Sequence, residues 1–395
     1  MTDKTIAERG YLPVLEENMT RDKMIAERGY LPVLEMNDGT PVTLENWEER
    51  RAEMLELLEK YCFGRTPRKP DRVWGDVVES AINWVAGKAL YQKVNINFEI
   101  DGMGVCTFPI TIHIPYKVVR PNVFLHIAFN QVPEKYTPLE EILDAGWAVI
   151  VVNYKDLVND NIGGDFTNGI GAYFKTPENR KGDEWGKVGM WAYGASRIMD
   201  YLVSERAEDL DVEHVAVIGH SRLGKTALWC AAQDERFAAA ISNNSGQGGA
   251  SSSKHTTGEL VYNYERAGSW NFFCENHRRF VGLEDEKPFD QAMLLALIAP
   301  RYLLVGSARL DIGADPIGEY LTSYHASSAW ELFGLRGLVC PDRLPEVDDH
   351  FTEGHISYHL RDDLHYLSRY DWQRYISYLD EKFGKKEFRE YHVPI

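Results

Sequence analysis

The sequence predicts an α/β protein with a mostly parallel central sheet, helices on both faces of that sheet and an antiparallel N-terminal edge. Two observations predict this class. Short, nearly continuous apolar runs recur from residue 123 onward, and such runs are typical of strands buried on both faces of a parallel sheet. Helical stretches separate most of these runs, and alternating strands and helices favour a doubly wound sheet.

The elements follow in chain order. An amphipathic helix is expected from Leu44 to Tyr61. Residues 93–100 and 107–114 then alternate apolar and polar side chains, which is typical of half-buried antiparallel strands. Parallel strands are expected in five apolar runs, at residues 123–129, 148–153, 215–218, 237–241 and 302–306. Helices are expected at residues 185–205, 224–233, 289–298, 316–333 and 372–383.

The N-terminus contains a duplicated segment. Residues 6–16, with the sequence IAERGYLPVLE, recur unchanged as residues 25–35. Two copies are too few for a solenoid, which needs at least about three units. The second copy runs into the amphipathic helix and is expected to belong to the fold, whereas the first copy is interpreted as a duplicated leader or a docking peptide. We expect residues 1–40 to form an N-terminal leader with the duplication and residues 41–395 to form one domain.

Charge and cysteine content narrow the function. The net charge of −17 gives a surface that repels phosphate backbones and anionic lipids, so neither a nucleic acid nor a membrane partner is expected. The five cysteines are scattered without a C-x-x-C pair, which favours reduced thiols over a zinc site or a disulfide framework. The first residues lack the apolar segment of a signal peptide. We therefore expect a cytoplasmic protein, or a secreted one if a signal peptide has been removed.

A nucleophilic serine is predicted at Ser221, in the stretch VIGHSRLGK. This serine follows an apolar strand and precedes a helix, a context that presents a hydroxyl above a sheet with the positive end of the helix behind it. The stretch departs from the pattern G-x-S-x-G, because Leu223 replaces the second glycine and Gly224 comes one residue later. The alternative is a serine that only caps the helix, but capping does not explain the glycines on both sides.

A serine nucleophile needs a base and an acid. In the three-layer α/β-hydrolase fold these follow the serine in the order Asp or Glu, then His. Asp311 and Asp315 both come after the last of the five predicted parallel strands, where the acid belongs. His355, His359 and His365 are the candidate bases, and His365 is preferred because it immediately precedes the final helix.

Several motifs resemble the bacterial branch of the carbohydrate esterase family that includes glucuronoyl esterases, carbohydrate esterase family 15. They are GHSRLGKTALW, SNNSGQGGA, LIAPR, ADPIGE and YHLR, spread over roughly residues 120–385. The resemblance implies a serine carbohydrate esterase that hydrolyses an ester on a plant cell-wall polysaccharide, such as the ester between 4-O-methyl-glucuronic acid on xylan and a lignin alcohol.

The resemblance also implies roles for individual residues. Ser221 is implied as the nucleophile and His365 as the base. The side chain and backbone N–H of Arg222 are implied as donors to the oxyanion, and Lys225 and Glu259 as contacts to the sugar.

Two departures from the family pattern matter. Some family members place the triad acid at the position of Asn244, which cannot carry a charge, so Asp311 becomes the preferred acid and Asp315 the reserve. A tryptophan that stacks on the sugar in the family corresponds to Ile312 or Gly313 here. The loss of this aromatic platform weakens the prediction of a glucuronoyl substrate and leaves the prediction of an esterase intact.

Two other functions stay open. An acetyl xylan esterase, or another carbohydrate deacetylase, would use the same triad on a smaller acyl group. A non-catalytic homologue would keep the fold and bind carbohydrate. A peptidase is disfavoured because no propeller repeats precede the hydrolase region. Serine ester hydrolysis requires no metal or organic cofactor, so none is expected.

Overall fold

The described part of the chain is organised around a ten-stranded sheet. The computed structural model describes residues 20–161, 165–177, 179–254 and 256–391. The strands, β1 to β10 in chain order, span Arg72–Asn83, Ala89–Ile100, Gly104–Pro115, Val123–Ala128, Ala148–Asn153, Val215–His220, Ala239–Asn243, Tyr302–Ala308, His350–Phe351 and Ile356–Arg361. Across the sheet they lie in the order β1-β2-β3-β5-β4-β6-β7-β8-β10-β9.

The sheet has a parallel centre and antiparallel edges. Strands β5, β4, β6, β7, β8 and β10 are parallel neighbours. Strands β1, β2 and β3 form an antiparallel meander that joins β5 in antiparallel register. The predicted parallel centre and antiparallel N-terminal edge are therefore confirmed. The antiparallel strand β9 was not predicted, because a strand of two residues is too short to show a sequence period.

The helices occupy most of the positions that the sequence predicts. In chain order, α1 to α13 span Arg21–Arg28, Trp47–Leu58, Trp84–Gly87, Leu139–Asp144, Tyr154–Leu157, Gly169–Tyr173, Lys187–Glu205, Arg222–Gln233, Val261–Arg266, Gln291–Ala296, Pro316–Ala326, Ser328–Leu332 and Arg369–Phe383. The helix predicted over residues 316–333 is divided at Ser327, whose hydroxyl donates to the Ser323 carbonyl and accepts from the Leu338 N–H. Within the described ranges, no helix is long and apolar enough to cross a membrane.

Two separate apolar clusters cover the two faces of the sheet. Along β4, Phe124 packs with Trp147 and with Trp372 of α13 on one face. The next residue, Leu125, belongs to the cluster on the other face, which contains Trp229 of α8. Successive side chains of a strand point to opposite faces, so both faces of β4 are covered. Helix, sheet and helix thus form the three layers of the predicted α/β-hydrolase fold.

The second copy of the duplicated segment is packed against the sheet domain. Arg28, at the end of α1, forms a buried ion pair with Asp315, with 2.6 Å between Nη1 and Oδ2. The Leu31 N–H donates to the Asp290 carboxylate at 2.7 Å, and the Leu31 carbonyl accepts from His325 Nε2 at 3.0 Å. The first copy, residues 6–16, lies outside the described residues.

Candidate active site

Ser221 occupies a sharp turn between β6 and α8. Its backbone has φ 59° and ψ −128°, a strained conformation for a residue other than glycine. The flanking glycines allow the turn, because a Cβ at Gly219 would lie 2.0 Å from the Leu223 carbonyl oxygen and a Cβ at Gly224 would lie 3.0 Å from Ser245 Cβ. The Ser221 side chain makes no capping hydrogen bond to α8, so the helix-cap alternative is not supported.

The turn opens into a cavity of about 300 Å³. This volume is at the small end of the range for ligand sites, so the cavity fits one sugar ring better than a chain of sugars. Most of the predicted site residues line this cavity, namely Ser221, Arg222, Lys225, Glu259, Asp311 and His365.

His365 and Asp311 are joined by a short hydrogen bond. His365 Nδ1 donates to Asp311 Oδ2 at 2.6 Å, and the Asn244 amide donates to the same oxygen at 2.8 Å. Burial raises the pKa of Asp311, but the hydrogen bond from His365, its charge and the Asn244 amide outweigh burial and hold this pKa below its ordinary value. Asp311 is therefore ionised at neutral pH. With Nδ1–H facing the carboxylate, a neutral His365 has its lone pair on Nε2, as a general base requires.

The other candidate bases and the reserve acid have different partners. His355 stacks on Tyr302 with ring centroids 5.0 Å apart, and His359 Nε2 donates to Asp371 at 2.7 Å. Asp315 pairs with Arg28 and accepts the Gly318 N–H at 3.0 Å, which caps α11. The structure thus brings Asp311, rather than Asp315, to His365 on the cavity wall.

Arg222 is held at the cavity wall by a carboxylate that the sequence analysis did not single out. Its Nη1 pairs with Asp160, and its guanidinium carbon lies 4.9 Å from the centre of the Phe272 ring. The Tyr154 hydroxyl also donates to Asp160, at 2.9 Å. No sequence signal links Asp160 to Arg222, because Asp160 lies 62 positions away in the chain from Arg222 at the start of α8.

Lys225 and Glu259 bring opposite charges to the cavity. Lys225 is buried, and its ammonium donates to the Ser245 carbonyl. Burial lowers the pKa of Lys225 to about 8, against the opposing charges of Glu259 and Glu319. The Glu259 carboxylate accepts from the Tyr264 hydroxyl at 2.7 Å. An ammonium and a carboxylate in one cavity can donate to and accept from the hydroxyls of a sugar.

Two further buried residues, Glu319 and His220, contact groups that line the cavity or neighbour its lining residues. Glu319 of α11 accepts the Ser245 and Gly246 N–H groups at 2.8 and 3.0 Å, and burial raises the pKa of Glu319 to about 7. The His220 ring packs against His365 with centroids 4.5 Å apart, and burial lowers the pKa of His220 to about 3. His220 lies in the motif GHSRLGK and Glu319 in the motif ADPIGE, but nothing in the sequence alone indicates the contacts that these two side chains make.

No cluster of three or more His, Cys, Asp or Glu side chains in the described part of the chain is arranged to hold a metal ion.

Comparison with known proteins identifies the family. Residues 100–334 match the profile of the family described as "Glucuronyl esterase, fungi". Over 387 residues the chain is 33% identical to "Carbohydrate esterase MZ0003" from an unknown prokaryotic organism, and the match covers 87% of each protein. The chain belongs to the glucuronoyl esterase family, carbohydrate esterase family 15.

Similar proteins and solved structures agree with this membership. The chain is 26% identical to the "4-O-methyl-glucuronoyl methylesterase" of Phanerochaete carnosa, over 76% of this chain and 71% of that protein. It is similar to the glucuronoyl esterase structure from Solibacter usitatus, with a TM-score of 0.81, 32% identity and coverage of 90% of this chain and 98% of that one. A structure described as a promiscuous CE15 esterase from a marine bacterial metagenome matches with a TM-score of 0.78, 31% identity and coverage of 89% and 96%.

These findings confirm the predicted family, the α/β-hydrolase fold and the assignment to the carboxylic ester hydrolases. The chain is therefore a serine carbohydrate esterase by family, and membership of a family of ester hydrolases does not support the alternative of a non-catalytic homologue.

Proposed function

We propose that this chain hydrolyses esters of glucuronic acid borne on xylan, with Ser221 as nucleophile, His365 as base and Asp311 as acid. The observation that carries the proposal is the hydrogen bond between His365 and Asp311 on the wall of the cavity that Ser221 lines. The names of the similar proteins, a 4-O-methyl-glucuronoyl methylesterase among them, support the choice of acyl group.

The chemistry has two halves. His365 Nε2 takes the hydroxyl proton as Ser221 Oγ attacks the ester carbonyl, and the Asp311 charge stabilises the imidazolium that forms. The tetrahedral oxyanion is stabilised by the N-terminus of α8 and by Arg222, and one such donor contributes about 3–4 kcal/mol. When the intermediate collapses, the C–O bond to the alcohol breaks and His365 returns the proton to the leaving alkoxide. Water then attacks the acyl-enzyme by the same route and releases the glucuronic acid.

The sugar is held by the charged pair across the cavity. The Lys225 ammonium uses one donor on Ser245 and retains two for sugar hydroxyls, and the Glu259 carboxylate accepts from others. An esterified uronate carries no carboxylate charge, so the negative protein does not repel the substrate. The released uronate is an anion and leaves more readily.

An acetyl esterase with the same triad is the second candidate, favoured by the absence of an aromatic residue at Gly313. Among the described residues, a Cβ at Gly313 would have only the Glu259 and Asp311 side chains within 4 Å, at 3.8 and 3.9 Å, so no aromatic ring lies against this position. A cavity without that platform discriminates less strongly for a sugar ring.

Two substrates separate these candidates. The rates on benzyl glucuronate and on p-nitrophenyl acetate are measured with the wild-type enzyme, and their kcat/KM values are compared. We expect kcat/KM for benzyl glucuronate to be the larger by at least about tenfold. Turnover of the acetate alone would overturn the glucuronoyl proposal and support the acetyl esterase.

The cytoplasmic location stays a prediction. All five cysteines are free in the structure, which a reducing compartment maintains. Cell fractionation followed by immunoblotting of the producing organism tests it, and recovery in the culture medium would contradict it.

A further inference from the structure

The guanidinium of Arg361 joins several parts of the site. Arg361 is the last residue of β10 and is 4% exposed. Its Nη1 donates to the Leu364 carbonyl at 3.2 Å, and its Nη2 donates to the Tyr366 carbonyl. These two carbonyls flank His365 in the chain. One side chain therefore holds the short loop that carries the base from both sides.

The same guanidinium also contacts the acid side of the pair. Arg361 Nη2 donates to Asn244 Oδ1 at 3.3 Å, and Asn244 Nδ2 donates in turn to Asp311 Oδ2 at 2.8 Å. An amide can present its oxygen or its nitrogen to a neighbour, and a carboxylate can only accept. Because Arg361 can only donate, it requires the Asn244 oxygen on its own side. The Asn244 nitrogen must then face Asp311.

A second buried carboxylate fixes Arg361 itself. Arg361 Nε donates to both oxygens of Asp371 at 3.0 Å, and His359 Nε2 donates to Asp371 at 2.7 Å. Burial alone raises the pKa of Asp371, but the hydrogen bond from His359 and the charges of His359 and Arg361 hold this pKa below its ordinary value. Asp371 caps α13 through Ser368, whose N–H it accepts at 2.7 Å. The guanidinium is thus anchored to the rigid start of the final helix.

We propose that Arg361 and Asn244 are positioning residues for the acid–base pair. Arg361 orients the Asn244 amide so that it donates to Asp311, and it holds the loop that carries His365. The chain of contacts runs from Asp371 through Arg361 and Asn244 to Asp311, with no exposed link between them. This proposal rests on the proposed roles of Asp311 and His365.

Asn244→Gly tests the amide without disturbing the backbone. Asn244 has φ 47°, a left-handed conformation that glycine adopts without strain. We expect kcat on benzyl glucuronate to fall about tenfold while KM stays within twofold, because Asp311 loses the donor that fixes it and the sugar contacts remain. A kcat within twofold of wild type would overturn the proposal.

A double-variant cycle shows whether Asn244 acts through Asp311. In Asp311→Asn enzyme the acid is already lost, so adding Asn244→Gly should change kcat by less than about threefold. If the two effects on kcat multiply instead, Asn244 acts independently of Asp311 and the proposal is wrong. If Asp311→Asn alone has no effect on kcat, Asp311 is not the triad acid and the proposed function is wrong in that assignment. This single-variant result is distinguishable from both results of the double variant.

Arg361→Lys keeps a positive charge but cannot reach Asp371, Asn244 and the two carbonyls together. We expect this variant to lower kcat at least about tenfold with KM unchanged. Arg301→Met is the matched control, because Arg301 also donates to backbone carbonyls, those of Phe237 and Ala231, but at the opposite end of β8. Both variants are expected to lower Tm, and only Arg361→Lys is expected to lower kcat. Equal kcat losses in the two variants would assign Arg361 to stability alone and overturn the proposal.

Discussion

Asp311→Asn removes the negative charge of the carboxylate beside His365, the proposed base, and keeps the shape of the Asp311 side chain. Asp311 Oδ2 lies 2.6 Å from His365 Nδ1, and an asparagine carbonyl can still accept that hydrogen bond. Two unit charges about 4 Å apart attract by about 4 kcal/mol at an effective dielectric constant of about 20. The His365 side chain is 46% exposed, so solvent screening reduces this attraction to about 2–3 kcal/mol. We therefore expect kcat to fall about 30- to 160-fold.

The assay is steady-state hydrolysis of benzyl glucuronate at neutral pH. KM is expected to stay within twofold, because the charge stabilises the imidazolium that forms during reaction and does not touch the sugar. Asp362→Asn is the control, since it removes the same charge from an exposed residue of the loop before His365. A kcat for Asp311→Asn within threefold of wild type would refute the assignment of Asp311 as the acid.

Three further predictions concern stability and substrate binding. The pKa of Glu319 is raised to about 7 from an ordinary value of 4.5, so the stability that Glu319 contributes is complete below pH 4.5 and is lost as pH rises through 7. Glu319→Gln stays neutral, so its Tm should rise relative to that of wild type between about pH 5 and 8. A Tm difference that does not depend on pH would contradict this prediction. Arg28→Met leaves Asp315 buried without its cation and should lower the free energy of unfolding by about 3–5 kcal/mol in urea titrations, with a loss below about 1 kcal/mol as the contrary result. Gly313→Trp supplies an aromatic platform and should lower KM for benzyl glucuronate about 2- to 10-fold without lowering KM for p-nitrophenyl acetate; an equal change for both substrates would speak against a sugar contact there.

The fold could be predicted from the sequence because its central strands are buried on both faces. Residues 148–152, for example, are all apolar, and a parallel sheet covered by helices on both faces makes successive positions of its strands apolar. The proposed nucleophile could be recognised in the sequence for a related reason. The strand, turn and helix around Ser221 are contiguous in the chain, so the glycines that allow the turn can be recognised beside it.

The proposed acid is marked less clearly in the sequence. Asp311 and Asp315 are separated by a single 3₁₀ turn, Ile312–Ala314, and the turn decides which of them faces His365. The sequence favours Asp311 because Asn244, at the position where some family members place the acid, cannot carry a charge. The structure adds the reason why Asp315 is unsuitable, which is its buried pair with Arg28 from the other end of the chain.

The hydrogen bonds that hold the site residues in place could not be predicted from the sequence, because they join segments that are distant in the chain. Arg361 and Asn244 are 117 positions apart, and Asp160 and Arg222 are 62 apart. A sequence pattern records neighbours along the chain, whereas these hydrogen bonds depend on the order of strands in the sheet. The residues that hold the site in place are therefore neighbours only in the folded protein.

Hydrolysis of benzyl glucuronate by wild-type enzyme and by Ser221→Ala tests the central claim most directly. The claim is that Ser221 is the nucleophile of an ester hydrolase, and the variant removes one hydroxyl from a partly exposed side chain. We expect the wild type to hydrolyse the ester and kcat of Ser221→Ala to be lower by at least about 10⁴-fold, with an unchanged Tm. A Ser221→Ala variant that is folded and keeps more than about 1% of wild-type kcat would contradict the account.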